Sequence, residues 1–268
     1  MDISTICTDS LVFTRETLIG KPSRWLIMIL LCLPWMVVSL LSKLLIGSDI
    51  QKIRWESIPY GPIIALIIAG MICELFLIGY NLRILRGGRT PPEFNNWVLL
   101  AVDAIKMMVL SIIWALPVVI IILTIAFILG DGGLSGGGLI LFLLMLLIAV
   151  VYVAILIVIL PISIIRFARN GSIGEGLTLY AIQETIDRIG WGKYIVALVI
   201  LVAILTVYSF VSFSLQLIPI AGDILSYVFL VSVMNVFAYR YLSNLYDCGQ
   251  DAAGAEPKSS SESAPAQV

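Results

Sequence analysis

The chain has 268 residues, 60% of them hydrophobic and 12% charged, with a net charge of −1 and a mean hydropathy of +1.08. Soluble domains carry roughly 25% charged residues, so the composition excludes an ordinary water-soluble domain and points to a membrane class. The sequence has no histidine, and Cys7, Cys32, Cys73 and Cys248 are scattered without a CxxC or other ligand spacing; no metal, haem, other cofactor or disulfide framework is expected.

Residues 1–24 are mixed and polar. The apolar run that follows is too long for the core of a signal peptide and lacks a small-residue cleavage site, so it is expected to remain as a membrane helix. Six spans are predicted, at 25–46, 62–82, 107–129, 139–160, 194–215 and 220–242, each of about 21–23 residues. At 1.5 Å per residue that length crosses a hydrocarbon core of ~30 Å. A backbone in hydrocarbon must satisfy its own hydrogen bonds, which favours helices, and the short alternating segments of a barrel are absent. The predicted fold is all-α: a polytopic bundle of six transmembrane helices in a domain spanning 1–246.

Pro59 and Pro62 open the second span and Pro219 precedes the sixth, where a missing N–H costs little. Pro34 and Pro117 fall inside the first and third spans and are expected to kink them. The side holding Arg15, Lys21, Arg24, Arg83, Arg86, Arg89, Lys106, Arg166, Arg169, Arg188, Lys193 and Arg240 faces one holding Lys43, Lys52 and Arg54. That bias of twelve to three predicts a cell-membrane protein with both termini in the cytoplasm. The outward loops are then 47–60, 130–138 and 216–219. The glycine-rich second loop lacks the Lys-Ser/Thr ending of a phosphate cradle and is read as a hairpin. The tail 247–268, rich in Ala, Ser, Pro and Glu, is expected to be disordered.

A parallel internal repeat is also expected, each unit a half-polar cytoplasmic helix followed by two spans. Segment 11–31 matches 177–201, with Glu16-Thr17 opposite Glu184-Thr185, and 94–169 follows the same plan without clear identity. Leu179, Ile182, Ile186 and Ile189 share one face of 178–190, and Trp97, Ala101 and Ala104 share one face of 94–106. Both helices are expected to lie in the headgroup layer.

The run GYNLRILRGGRTPPEFNNWVLLAVDAIKMMVLSIIWALP, 79–117, joins a Gly-Tyr-x-x-Arg-Ile span end, a Pro-x-x-Trp helix start and a Trp-x-x-Pro in the next span. With PISIIRFARNGSIGEGLTLYAIQETI, 161–186, it resembles DUF4013, a family of uncharacterised integral membrane proteins found largely in archaea. The resemblance extends from about Ser10 to Asp247; Ala104 stands where the pattern has a glycine. It implies a fold and a location, and no catalytic residues.

Glu74 is the sharpest candidate for a functional group. It lies mid-span with no cation three or four residues away, where a charge costs on the order of 2.5–3.5 kcal/mol. It is expected to be protonated or hydrogen-bonded and to face the bundle interior, with Asn235 as its partner. Asp103 and Lys106, at i and i+3, are expected to pair at the membrane boundary. Arg83, Arg86 and Arg89 form an inner-leaflet basic cluster that attracts anionic headgroups. Asp223 is read as a helix-start charge.

Serine, cysteine and metallopeptidase arrangements based on histidine are ruled out, and no closely spaced carboxylate pair is visible. The sequence therefore points to a non-enzymatic membrane component that organises lipid or a partner protein of unknown identity. The alternative is a small transporter or channel using Glu74 as a proton or cation site. The expected partner is the lipid bilayer, and no nucleic acid.

Overall fold

The computed structural model describes residues 3–46, 60–130, 137–218 and 220–254. Most of the loops expected at 47–60 and 130–138, Pro219, and the tail beyond Gly254 lie outside them. In chain order the elements are α1 (Ile3–Leu18), α2 (Pro22–Ile46), α3 (Tyr60–Leu85), α4 (Trp97–Gly130), α5 (Gly137–Asn170), α6 (Ile173–Leu177), α7 (Leu179–Ile189) and α8 (Trp191–Gln216). They are followed by α9 (Ala221–Leu225), a π-helical turn (Ser226–Leu230) and α10 (Val231–Gly254). Among the described residues there is no strand. Six stretches are long and apolar enough to cross a membrane: α2, α3, α4, α5, α8 and the composite of α9, the π turn and α10.

Helices α4 and α5 have 34 residues each, about 50 Å at 1.5 Å per residue. That is well beyond a ~30 Å hydrocarbon core. The extra turns lie at the arginine-rich end of the bundle, where Leu100, Asp103 and Ala104 on α4 and Ile162, Ile165 and Phe167 on α5 are buried. Packing against protein carries both helices past the predicted boundaries. Residues 94–96 precede α4, and Asn96 takes φ +50°; its carbonyl accepts the N–H groups of Leu99 and Leu100, so the half-polar segment forms the first turns of α4.

The core is concentrated at that basic end around α10. There α1 and α7 pack against α10 and bring Ile6, Ile182 and Ile186 against Tyr241 and Leu245. The apolar face of α7 is therefore covered by protein at Ile182, Ile186 and Ile189, with Leu179 and Tyr180 left exposed. The two Glu-Thr pairs occupy similar settings, Thr17 and Thr185 being buried with their hydroxyls donating to the carbonyls of Phe13 and Ala181 at 2.7 Å. Toward the other end α4 and α5 carry continuous exposed apolar surface, and none of α5's most apolar window is buried. Lipid tails are as apolar as these side chains, so no hydrophobic force pulls the helices together there.

Gly79 explains the close contact of α3 with α4. A Cβ added to it would sit 2.3 Å from the carbonyl oxygen of Leu100, and Ala104 is fully buried nearby on α4. Tyr80 stacks on Phe94 with ring centroids 4.0 Å apart, and Trp97 meets Phe76 edge-on at 5.1 Å. Replacing Gly79 with valine should cost about 1–3 kcal/mol through overpacking, read as an earlier thermal unfolding of the detergent-solubilised protein.

The sixth span departs from expectation: a π-helical turn interrupts its α-helical ladder, and α10 runs on through Asp247 to Gly254, so residues 247–254, expected in the disordered tail, are helical. The chain reverses tightly between α8 and α9. A Cβ at Gly222 would lie 1.7 Å from the Leu215 carbonyl oxygen, and Ile220 takes φ +61°, a strained value for a β-branched residue. Helix α2 continues through Pro34 and α4 through Pro117.

Candidate functional site: a polar seam beside a knot of arginines

Two polar regions interrupt the apolar bundle. At the basic end, the C-termini of α3 and α5 are tied to each other by exchanged arginines. Arg86 on the exit of α3 donates from Nε to the Ala168 carbonyl at 3.1 Å. Arg169 on α5 donates from Nε to the Leu85 carbonyl at 2.8 Å. The last carbonyls of a helix lack intrahelical partners, and a guanidinium satisfies them while complementing the negative end of the dipole. Arg169 continues to α10, donating to Ser243 Oγ at 3.1 Å and Asp247 Oδ1 at 2.7 Å, with its guanidinium carbon 5.3 Å from the centre of the Tyr246 ring.

Asp103 pairs with Arg86 across helices, Nη2 to Oδ2 at 2.5 Å, in place of the expected pairing with Lys106, which is exposed. The reason is geometric: Asp103 is buried against α3, so the cation that reaches it comes from α3. Arg83 is also engaged. It donates to the Glu93 carbonyl at 2.8 Å and to the Asn95 side chain and carbonyl at 2.5 and 2.7 Å, which fastens the segment before Trp97. Of the three clustered arginines, Arg89 is exposed while Arg83 and Arg86 are committed to protein.

Lys21 contacts Glu93 at 2.5 Å. The hydrogen bond from Lys21, then its charge, holds the Glu93 carboxyl below the usual carboxylate range. A lowered carboxyl contributes to stability above its unfolded value and loses that contribution as pH falls through the folded one. The Lys21 contact should therefore break only below the ordinary glutamate range, which a 13C titration of the Glu93 carboxyl reads directly.

The second region is a seam between α2, α3 and the π-turned sixth span. Asp223 on α9 is fully buried and is held by Lys43 Nζ at 2.8 and 2.7 Å and by Ser39 Oγ at 3.0 Å. Lys43 also donates to the Gln216 carbonyl at 2.8 Å. The charge read as a helix-start residue is thus half of an ion pair linking the first and sixth spans. Ser212 and Ser226 share a hydrogen bond of 2.6 Å at the start of the π turn, and the Trp25 indole donates to the Val228 carbonyl within it at 3.0 Å. A π turn frees backbone groups from the regular ladder and recurs at functional sites.

Beside the π turn lies a cavity of about 300 Å³, lined by Cys32 and Trp35 of α2, Glu74 and Leu77 of α3, and Tyr227, Val231 and Asn235. Glu74 and Asn235, expected as partners, thus face one space. No hydrogen bond joins them among the described residues; Glu74 is exposed and Asn235 half-buried. The expectation of a protonated or hydrogen-bonded Glu74 facing the interior is corrected in its facing and its partner only: the side chain opens onto a cavity at the bundle's flank without a bond to Asn235. One turn pair nearer the basic end, Asn81 is buried and lies beside Tyr239.

Two apolar crevices flank this cavity. One of about 620 Å³ runs between α3 and α4 and shares Trp35 and Glu74 with it. The other, of about 430 Å³, lies between α5, α8 and α10 and shares Val231 and Asn235. Among the described residues no group of three or more His, Cys, Asp or Glu side chains is placed to hold a metal.

Sequence reasoning missed Lys43, Ser39 and Arg169 as site residues. The signal for the first was present: Lys43 and Asp223 are opposite charges within apolar spans at the same end of the bundle.

Six apolar crossings with ionic contacts confined to the helix ends and one seam define a polytopic α-helical membrane protein. Its chain belongs to the DUF4013 family, described as proteins of unknown function, whose model matches residues 63–217. The match covers more than half of the chain and is narrower than the resemblance from Ser10 to Asp247. No curated protein and no solved structure matches the chain.

Proposed function

We propose that this protein is a non-enzymatic component of the cell membrane that organises lipid around its bundle, with the basic end and both termini in the cytoplasm. The observation that carries the reading is the α3–α4 crevice. Its walls, including Ile68, Ile72, Met108 and Ile112, are apolar apart from Glu74, a lining suited to an acyl chain. Exposed Arg89 at the same end as Arg83 and Arg86 supports attraction of anionic headgroups.

The reading is tested by extracting the protein into nanodiscs with native lipid and counting co-purified lipids by mass spectrometry. Replacing Met108 and Ile112 with tryptophan should fill the crevice and lower the tightly retained lipid. Equal retention by the filled variant would remove the crevice as a lipid site. Tags at positions 133 and 264 should report opposite sides of the membrane.

A second reading, a small transporter or channel, is supported by the shared cavity of Glu74 and Asn235. It predicts proton or cation flux in proteoliposomes that falls at least tenfold with Glu74→Gln.

A further inference from the structure

The cavity beside the π turn has a composition that neither an acyl chain nor an inorganic ion needs. Its walls combine one carboxylate (Glu74), one amide (Asn235), one thiol (Cys32) and two aromatic rings (Trp35 and Tyr227) with Leu77 and Val231. The ion pairs of the described residues leave Glu74 aside. Lys43, the cation of the seam, is held by Asp223 and the Gln216 carbonyl. A carboxylate within a span needs a counter-charge or a proton.

The counter-charge that fits these walls is organic. Ca²⁺ and Mg²⁺ take six or more oxygen ligands and Zn²⁺ takes four ligands; the cavity walls offer one carboxylate, one amide, one phenol and one thiol, and among the described residues no group of three His, Cys, Asp or Glu side chains is placed to hold a metal. A substituted ammonium keeps its charge without a shell of oxygens and is attracted to the faces of tryptophan and tyrosine rings. Its apolar substituents match Leu77 and Val231. The way in is lateral: Glu74 and Trp35 also line the α3–α4 crevice, and Val231 and Asn235 line the crevice between α5, α8 and α10. A ligand dissolved in the bilayer meets the carboxylate from the α3–α4 side and the amide from the other.

We propose that the cavity formed by Cys32, Trp35, Glu74, Tyr227 and Asn235 binds a lipophilic organic ammonium ion, with Glu74 as counter-ion and Trp35 and Tyr227 as aromatic walls. The proposal rests on the Glu74 cavity of the second reading and is independent of lipid in the crevices; it requires binding and not flux. Binding of the cation by a protein that passes neither protons nor cations in proteoliposomes would overturn that second reading and leave this one standing.

The test is equilibrium binding to the full-length protein in nanodiscs, using phenyltrimethylammonium and its uncharged isostere tert-butylbenzene. The wild type should bind the cation saturably and at least tenfold more tightly than the isostere. Glu74→Gln, which keeps the shape of the side chain, should abolish that preference, and Trp35→Leu should weaken cation binding several-fold while Trp35→Phe retains most of it. Equal affinity for cation and isostere in the wild type would overturn the proposal without any variant. So would a charge preference that survives Glu74→Gln, or saturable binding of K⁺ or Ca²⁺ with none of phenyltrimethylammonium.

Discussion

Replacing Lys43 with methionine should destabilise the protein by about 3 kcal/mol, the lower part of the range for stranding one partner of a buried pair. Asp223 is fully buried, whereas the Lys43 side chain is 37% exposed; water reaching the vacated position moderates the loss. What remains after the substitution is a carboxylate holding one hydrogen bond, from Ser39. The diagnostic comparison is the double variant Lys43→Met with Asp223→Leu. Removing both charges removes the desolvation cost with the attraction, so the double variant should recover most of the stability. Thermal unfolding in detergent measures all three proteins. Equal losses for the single and double variants would mean that the packing of α2 on α9, and not the ion pair, joins the first and sixth spans.

Arg169→Ala should have an effect as large, about 3–4 kcal/mol, because one side chain serves three helices. Its loss leaves the Leu85 carbonyl at the end of α3 only the 3.5 Å bond from Ser243 and takes one donor each from Asp247 and Ser243 on α10; hydrogen bonds to charged groups contribute roughly 1.5–3 kcal/mol each. The Tyr246 ring loses its cation as well. Arg169→Lys should recover only part of the stability, since an ammonium cannot span these directions as a planar fork does. Gly87 provides an independent check. It takes φ +82°, and a Cβ there would lie 2.3 Å from a terminal nitrogen of Arg169, so Gly87→Ala should destabilise through backbone strain as well as through the displaced guanidinium, and only the strain should persist in an Arg169→Ala background. Unfolding of Arg169→Ala at the wild-type temperature would show that the exchanged arginines contribute no net stability.

The class of this protein and the number of its crossings were legible because they depend on composition and length alone. A run such as 139–160 contains no charge, and its environment follows from that fact whatever packs beside it. The Gly-Tyr-x-x-Arg-Ile and Pro-x-x-Trp motif was legible too, since its residues act locally: Tyr80 stacks on Phe94, and Arg83 fastens Asn95.

Partners between distant segments followed a different rule. Asp103 was assigned to Lys106 by spacing along one helix, but the burial of its side chain faces it toward α3 and Arg86. Asp223 was assigned to the dipole of its own helix, but a tight reversal at Ile220 and Gly222 presents it to Lys43, 180 residues away in sequence. Packing of the sixth span on α2 and α3 sets the π turn beside Glu74. Helical periodicity determines which residues share a face, while which face meets which neighbour is decided by how the helices pack. In a bilayer, where apolar side chains fit lipid and protein alike, close contacts such as Gly79 on Leu100 and a few ion pairs make that choice.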